Sequence, residues 1–149
     1  MPADSEPVLL PRTWRPLGLT LAVLFFGLMF LIVASVAWFA MDAETQARFT
    51  TFQKWTIVAL LLGGGWGTWV LGRCRVTAAE EGVTVVNGLR RSTYAWDQIA
   101  GVSLEPGMPW ARLSLVGGEV RQLIGLQAAD GLRAERAVKV LRQLARERA

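Results

Sequence analysis

Two long uncharged runs dominate the first half of the chain. Residues 17–41 contain no charged side chain, and as a helix they would extend about 37 Å at ~1.5 Å per residue. That length is enough to cross the ~30 Å hydrocarbon core of a bilayer with some tilt. Residues 55–72 are also uncharged and form a second run that barely suffices for a span. The pattern therefore predicts a transmembrane hairpin over residues 17–72, with a polar loop over residues 42–54.

Basic residues flank this hairpin on the outside of both runs. Two arginines precede the first run and two follow the second, while the loop has two basic residues beside two acidic ones. Because cytoplasmic flanks are enriched in Lys and Arg, we expect both termini in the cytoplasm, with the spans in the plasma membrane. Residues 1–16 contain four prolines and no periodic pattern, which predicts an irregular tail. The flanking arginines are Arg12, Arg15, Arg73 and Arg75.

A cleaved signal peptide is the alternative interpretation of the first run. Ser35-Val36-Ala37 resembles the small-x-small pattern of a cleavage site. However, the apolar core of a signal peptide has only ~7–15 residues, and here a second span follows closely. Both points favour a retained helix. Under either interpretation the second span runs in the same direction, so the C-terminal domain is predicted on the cytoplasmic side.

From residue 73 onward the hydrophobic period changes. Valines and threonines intermingle over residues 76–86, a composition typical of β-strands. Asn87-Gly88 and Gly117-Gly118 are strong turn signals, because these residues tolerate positive φ. The segment Pro106-Gly107-Met108-Pro109 breaks the chain between them. We expect about six short strands at meander spacing, in no βαβ pattern.

The last segment, residues 130–147, returns to a helical period with Asp130 as its predicted N-cap. One face is apolar, and arginines and a lysine occupy the other. The apolar face needs a partner, which the open side of a small β-sandwich would supply; a helix lying flat on the membrane is the alternative. Tryptophans in a small β domain are more often core than ligand pocket. The predicted core comprises Trp96, Ile99, Trp110, Val138, Leu141 and Leu144.

This order of elements resembles small bacterial two-span membrane proteins with a C-terminal PH-like domain, the low molecular weight protein antigen or PH domain-containing protein family. The resemblance covers residues 73–149 and implies a bent antiparallel sandwich of six to seven strands, capped at one end by the helix. A dense Lys/Arg loop between the first two strands is missing, so inositol-phosphate binding is not implied. The resemblance rests on Arg75-Val76-Thr77, Glu81-Gly82-Val83, Asn87-Gly88, Trp96-Asp97-Gln98-Ile99, Pro109-Trp110-Ala111 and the terminal helix.

Composition excludes several kinds of chemistry. The chain has no histidine and one cysteine, which excludes an internal disulfide, a His or Cys metal cluster and a Ser-His or Cys-His pair. The remaining polar candidates are scattered, and no phosphate loop or nucleophile elbow is present. We therefore predict no catalytic residue, no cofactor and no metal. The net charge of +4 comes without a dense Lys/Arg tract, which argues against nucleic acid as a partner. The scattered candidates are Tyr94, Asp97, Glu105 and Asp130.

Three features near or within the second span are candidates for outside contacts. Gly63 and Gly67 have the small-xxx-small spacing that lets helices approach closely, and packing within the hairpin is favoured over packing against another protein. Cys74 is expected to be a small interface residue rather than an acylation site. Four arginines are candidates for anionic headgroups or for an ordinary solvated face: Arg73, Arg75, Arg90 and Arg91.

The sequence thus predicts a non-enzymatic, membrane-anchored PH-like module that presents a cytoplasmic surface to a protein partner or to lipid headgroups. The alternative is an accessory subunit that docks on a larger membrane complex through its glycine-rich second span.

Overall fold

The protein has a helical unit and a β unit in the computed structural model, which describes residues 9–148. The helical unit comprises Gly18–Leu71, and the β unit comprises the chain from Gly72 onward together with the segment up to Leu17. The helices are α1 (Leu17–Ala40), α2 (Ala43–Arg48), α3 (Thr51–Gly72) and α4 (Leu132–Arg148). The strands are β1 (Arg12–Trp14), β2 (Arg75–Ala78), β3 (Gly82–Asn87), β4 (Arg90–Ala95), β5 (Ile99–Ser103), β6 (Trp110–Leu115) and β7 (Val120–Gln127).

The two long helices, α1 and α3, are apolar enough to cross a membrane and have 24 and 22 residues. Neither helix has a buried residue in this structure. The core helix of a soluble protein of this composition would be mostly buried, so exposed apolar surface on this scale needs a cover. A bilayer provides that cover for a helix of this length.

The polar segment predicted to link the two runs, residues 42–54, contains helical structure. Asp42 caps α2, because its Oδ1 accepts a hydrogen bond from the Thr45 backbone N–H at 2.7 Å. That N–H lowers the pKa of the Asp42 carboxyl below its ordinary value. Thr50 and Gln53 form a capping box, with reciprocal hydrogen bonds of 3.3 and 3.0 Å, and α3 begins at Thr51 rather than at Trp55. The polar segment is therefore partly helical, because its capping residues start α2 and α3.

Two antiparallel sheets form the β unit, with strand orders β1-β2-β3-β4 and β5-β6-β7. Gly88 and Gly118 take φ of 64° and 85° in the β3–β4 and β6–β7 turns, as both turn signals predict. The predicted fold class is confirmed: two long apolar helices, seven antiparallel strands in two sheets and a C-terminal helix.

Strand β1 corrects the prediction of an irregular tail over residues 1–16. Arg12, Thr13 and Trp14 pair with Ala78, Thr77 and Val76 of β2, and Trp14 is only 6% exposed. Pro11 and Pro16 stand on either side of this short strand, so neither removes a donor from within it. Residues 1–8 lie outside the described part of the chain. The first strand of the sandwich thus precedes α1, and the helical unit is inserted between β1 and β2.

The core lies between the two sheets and α4. Leu141 of α4 is fully buried together with Val76, Leu113 and Leu123 from both sheets. Trp96 is buried and its Nε1 donates to the carbonyls of Ala79 and Glu80, both at 3.1 Å. Ile99, Val138 and Leu144 are also buried in this core.

Trp110 is a correction to the predicted core, since it is only partly buried and lies outside the buried cluster. Along β6 the side chains of Ala111 and Leu113 face the core. Strand alternation therefore places Trp110 on the same face as Arg112, the outward one. The pairing of β6 with β7 also shifts register between Trp110 and Ala111.

The start of α4 also differs from the prediction. Asp130 belongs to a short 3-10 turn, Ala128–Asp130, and α4 begins at Leu132. Gly131 supplies the first helical acceptor, its carbonyl taking the Glu135 N–H at 3.2 Å. The Asp130 carboxylate instead accepts the backbone N–H of Leu17 at 3.4 Å. Through this bond Asp130 ties the segment after β1 to the region before α4.

Candidate functional site

The outer face of the first sheet carries polar and basic side chains in register. Residues directly opposite one another across an antiparallel ladder point to the same face. Arg75, Val86 and Arg91 form one such row, and the row beside it consists of four threonines. Their hydroxyls meet in two pairs, 3.0 and 3.1 Å apart. The core valines occupy the other face, so Arg75 and Arg91 point away from the core. The threonines are Thr13, Thr77, Thr84 and Thr93.

The β3–β4 turn is held against the segment that leaves α3. The backbone N–H of Gly88 donates to Sγ of Cys74 at 3.1 Å, and Cys74 stands two residues after the last residue of α3. Cys74 is only 2% exposed, so its thiol is enclosed and not accessible for acylation. This contact keeps the turn next to the point where the chain enters the β unit from the second candidate span.

Asn87 fixes the same turn to the second sheet. Its Nδ2 donates to the Gln122 carbonyl at 2.6 Å, and its Oδ1 accepts the Ile124 N–H at 3.2 Å. Close packing continues at Gly125, where a Cβ atom would come within 2.9 Å of the Arg75 backbone. The Asn87 side chain therefore replaces ladder hydrogen bonds where the two sheets meet, and the position of the turn is well defined.

An exposed leucine and several cations surround this turn. Leu89, at its tip, is 66% exposed, and Arg90 and Arg91 follow it as exposed residues. Arg73 and Arg75 flank Cys74 in the chain. Among the described residues, Arg75, Arg90 and Arg91 form no ion pair; the ion pairs of the β unit join Arg112 to Glu105 and Arg121 to Glu119. We call this surface the basic end; its members are Arg73, Arg75, Leu89, Arg90 and Arg91.

The glycines of α3 are further candidates from the sequence. A Cβ atom built on Gly63 or Gly67 would meet no atom within 4 Å, and the same holds for Gly64 and Gly65. These glycines therefore show no close contact with α1, and packing within the hairpin stays a prediction.

Groups able to do catalysis or bind metal are dispersed. Among the described residues, no group of three or more His, Cys, Asp or Glu side chains is placed to hold a metal ion. Tyr94 and Asp97 line a shallow groove with Glu119, whereas Glu105 pairs with Arg112 at 3.7 Å. The structure does not bring the four candidates from the sequence into one site.

Comparison with known proteins connects this architecture to a family. Residues 73–144 match the family model described as Bacterial PH domain. An uncharacterised protein of Mycobacterium bovis is 30% identical over 148 residues, which cover 96% of this chain and 90% of the relative. The chain belongs to the bacterial PH domain family. Uncharacterised proteins from two strains of Mycobacterium tuberculosis match with the same identity and coverage. No solved structure matches the chain.

The family model begins at residue 73, after both long helices, and so does not include β1. The signal for β1 in the sequence is weak, because three residues between prolines are too short to show alternation. Trp14 is the one signal in this segment that could have indicated β1. A large aromatic side chain in a predicted tail is as consistent with burial in a core as with a position at the membrane interface.

Proposed function

We propose that this protein is a membrane-anchored, non-enzymatic binding module whose basic end contacts anionic lipid headgroups. One observation carries the proposal: the Gly88–Cys74 hydrogen bond holds the exposed tip of the β3–β4 hairpin beside the exit from α3. If α3 crosses the bilayer, Cys74 lies within a few residues of the membrane surface. Leu89 and its neighbouring arginines then lie there as well.

The chemistry of the basic end suits a headgroup layer. A basic residue near an anionic surface contributes about 1 kcal/mol, so Arg75, Arg90 and Arg91 together contribute about 3 kcal/mol. A leucine transferred fully out of water adds about 1.5–3 kcal/mol. These contributions are modest beside two membrane spans, so we infer that they orient the β unit rather than anchor the protein.

The pairing of β1 with β2 supports a transmembrane hairpin that crosses the membrane twice. Trp14 and Val76 lie opposite each other on paired strands of one sheet, although both α1 and α3 lie between them in the chain. Both ends of the helical unit must therefore be on the same side of a membrane that α1 and α3 cross. The excess of arginine at these ends favours the cytoplasmic side of a bacterial plasma membrane.

Fluorescence from position 89 tests the headgroup contact. The intact protein carrying Leu89→Cys, labelled with an environment-sensitive dye, would be placed in nanodiscs of neutral lipid or of 30% anionic lipid. Cys74 would be kept in all samples, because its thiol is buried and accepts the Gly88 N–H. We expect blue-shifted emission and quenching by lipids brominated on the acyl chain, stronger with anionic lipid. Arg90→Glu with Arg91→Glu should remove the dependence on anionic lipid.

Position 116 supplies the control. Val116 is 69% exposed and lies beside Gln98, whose carbonyl accepts the Val116 N–H at 2.9 Å. Gln98 follows the end of β4 that is remote from the tip, so a dye at position 116 should report water in either lipid. Equal quenching at positions 89 and 116, or none at position 89, would refute the headgroup contact.

A second candidate function, an accessory subunit, is favoured by the uncovered glycine face of α3. A Cβ atom built on Gly63 or Gly67 would meet no atom within 4 Å beyond the nearby backbone of α3, which leaves the face open to another membrane helix. Replacing Gly65 and Gly67 by leucine should abolish co-purification of a membrane partner under this function and leave it intact under the headgroup function.

A further inference from the structure

A groove on the β unit, away from the basic end, lies between strand β5 and helix α4. Its volume is about 420 Å³. Four consecutive residues of β5, Ile99 to Val102, form one wall, and Arg142, Ala145 and Arg146 form the other. Ala100 has only a methyl side chain and Gly101 has none, so the backbone of β5 forms most of this wall. A groove walled by backbone on one side suits a ligand that is recognised through its main chain.

Strand β5 is an edge of the second sheet. It pairs with β6 on one side only, and the order of that sheet is β5-β6-β7. The Val102 carbonyl accepts hydrogen bonds from Nε and Nη2 of Arg142, at 3.1 and 3.0 Å, so it points away from β6 and into the groove. An edge strand with outward backbone groups is the template to which an extended segment adds as a further strand.

The groove is cationic. Arg142 and Arg146 stand one helical turn apart on α4, and no acidic residue is among the residues that line the groove. Neither arginine forms an ion pair in the described part of the chain, whereas Arg112 and Arg121 on the neighbouring strands do pair with glutamates. Two unpaired guanidinium groups beside an open strand edge select a ligand that is both extended and acidic.

We propose that β5 accepts an extended acidic segment of a partner protein as a fourth strand of the second sheet. The carboxylates of the segment pair with Arg142 and Arg146. Arg142 holds the Val102 carbonyl in the free protein, and on binding it releases that carbonyl to a backbone N–H of the ligand. The Val102 carbonyl therefore has a hydrogen-bond donor in both states, as a buried or half-buried carbonyl requires. The inference rests on the proposed function only in taking the β unit to be a binding module, and it uses a different surface.

Binding of a designed peptide to the full chain in nanodiscs of neutral lipid tests the proposal. The probe is a fluorescent ten-residue peptide in which glutamate alternates with valine and threonine; the matched probe has lysine at each glutamate. We expect the acidic peptide to bind at least tenfold more tightly than the basic one. Methylation of alternate backbone nitrogens should abolish binding, and the peptide should slow amide hydrogen exchange at residues 99–102.

Charge reversal on the helix supplies the matched variants. Arg146→Glu should weaken binding of the acidic peptide at least tenfold and strengthen binding of the basic peptide, because a glutamate in the groove attracts lysine. Arg136→Glu, on an exposed part of α4 outside the groove, should change neither. The rescue by the basic peptide shows that the Arg146→Glu variant is folded.

Three outcomes would overturn the proposal. These are equal affinity for the two peptides, protection of amides outside β5, and an Arg146→Glu variant that loses contact with anionic vesicles but not with the peptide. The last result would assign the groove to lipid. If the dye at position 89 shows no quenching by lipid while the acidic peptide still binds, only the proposed headgroup contact is refuted. If the dye is quenched but the peptide does not bind, only the proposed strand addition at β5 is refuted.

Discussion

At the residue scale, Leu141 is the side chain of α4 that is most completely buried in the core. It is fully buried against both sheets, so Leu141→Ala should cost about 2–5 kcal/mol of unfolding free energy. Arg136→Ala, on the exposed face of the same helix, should be nearly silent. Thermal unfolding of the β unit in detergent, followed by near-ultraviolet circular dichroism, measures both. Equal melting temperatures would mean that α4 does not cap the sandwich and would favour a helix lying on the membrane.

Arg142, next to Leu141, makes a contact that helical periodicity does not predict. The spacing places it on the solvated face, yet its guanidinium bonds to the Val102 carbonyl across the groove. Periodicity assigns a face to Cβ, but a long side chain can reach around the helix to a backbone acceptor. Trp110 is the converse case, since alternation with Arg112 already placed it outward and its size alone suggested the core.

Asn87 offers a second test at this scale. Its side chain makes two hydrogen bonds to the backbone of β7, and the turn it begins carries Leu89. Asn87→Ala should leave two backbone groups of β7 without these partners and destabilise the β unit by about 1–3 kcal/mol. The exposed Thr93→Ala on the outer face of β4 serves as the control. A change no larger than that of the control would show that the two sheets meet without this link.

At the scale of elements, the turns and the C-terminal helix follow from local signals, whereas β1 does not. Asn87-Gly88 and the period of residues 130–147 are each visible within a short window of sequence. The pairing of β1 with β2 joins residues more than sixty positions apart, and only packing of Trp14 in the core reveals it. Non-local pairing of a three-residue strand lies beyond what local patterns contain.

Removing β1 should therefore weaken the β unit. We compare a fragment of residues 73–149 with the same fragment joined to residues 9–16 through a short glycine-serine linker. The first leaves β2 as an uncovered edge and vacates the site of Trp14, and removal of a buried aromatic costs about 3–5 kcal/mol. We expect a higher denaturation midpoint for the joined fragment.

Trp14→Ala in the joined fragment is the control, because it should return the midpoint toward that of the shorter fragment. Equal midpoints for all three proteins would show that β1 contributes nothing to stability.

At the scale of the whole molecule, insertion of the helical unit between β1 and β2 constrains topology more strongly than the flanking charges do. Charge counts distinguish the two sides by only a pair of arginines at each end. The β1–β2 pairing requires an even number of crossings between Trp14 and Val76, whichever side the β unit occupies. It also argues against signal-peptide cleavage after α1, since cleavage would separate β1 from the chain that holds its partner strand.

Reporter fusions test both parts of this topology. A reporter active only outside the cytoplasm should give no signal when fused at residue 149 and a strong signal when inserted between Arg48 and Thr51, the short connection between α2 and α3. An N-terminal epitope tag should remain on the full-length protein, because cleavage near Ala37 would release it. Substituting glutamate for Arg12, Arg15, Arg73 and Arg75 should make the orientation in the membrane less uniform, since these residues supply the positive flanks.

A strong signal at residue 149 would show that the orientation is the opposite of the predicted one, and the β1–β2 pairing would remain possible. Loss of the tag, or signals on opposite sides for the N-terminus and residue 149, would contradict the pairing itself, because β1 and β2 would then be parted by the membrane.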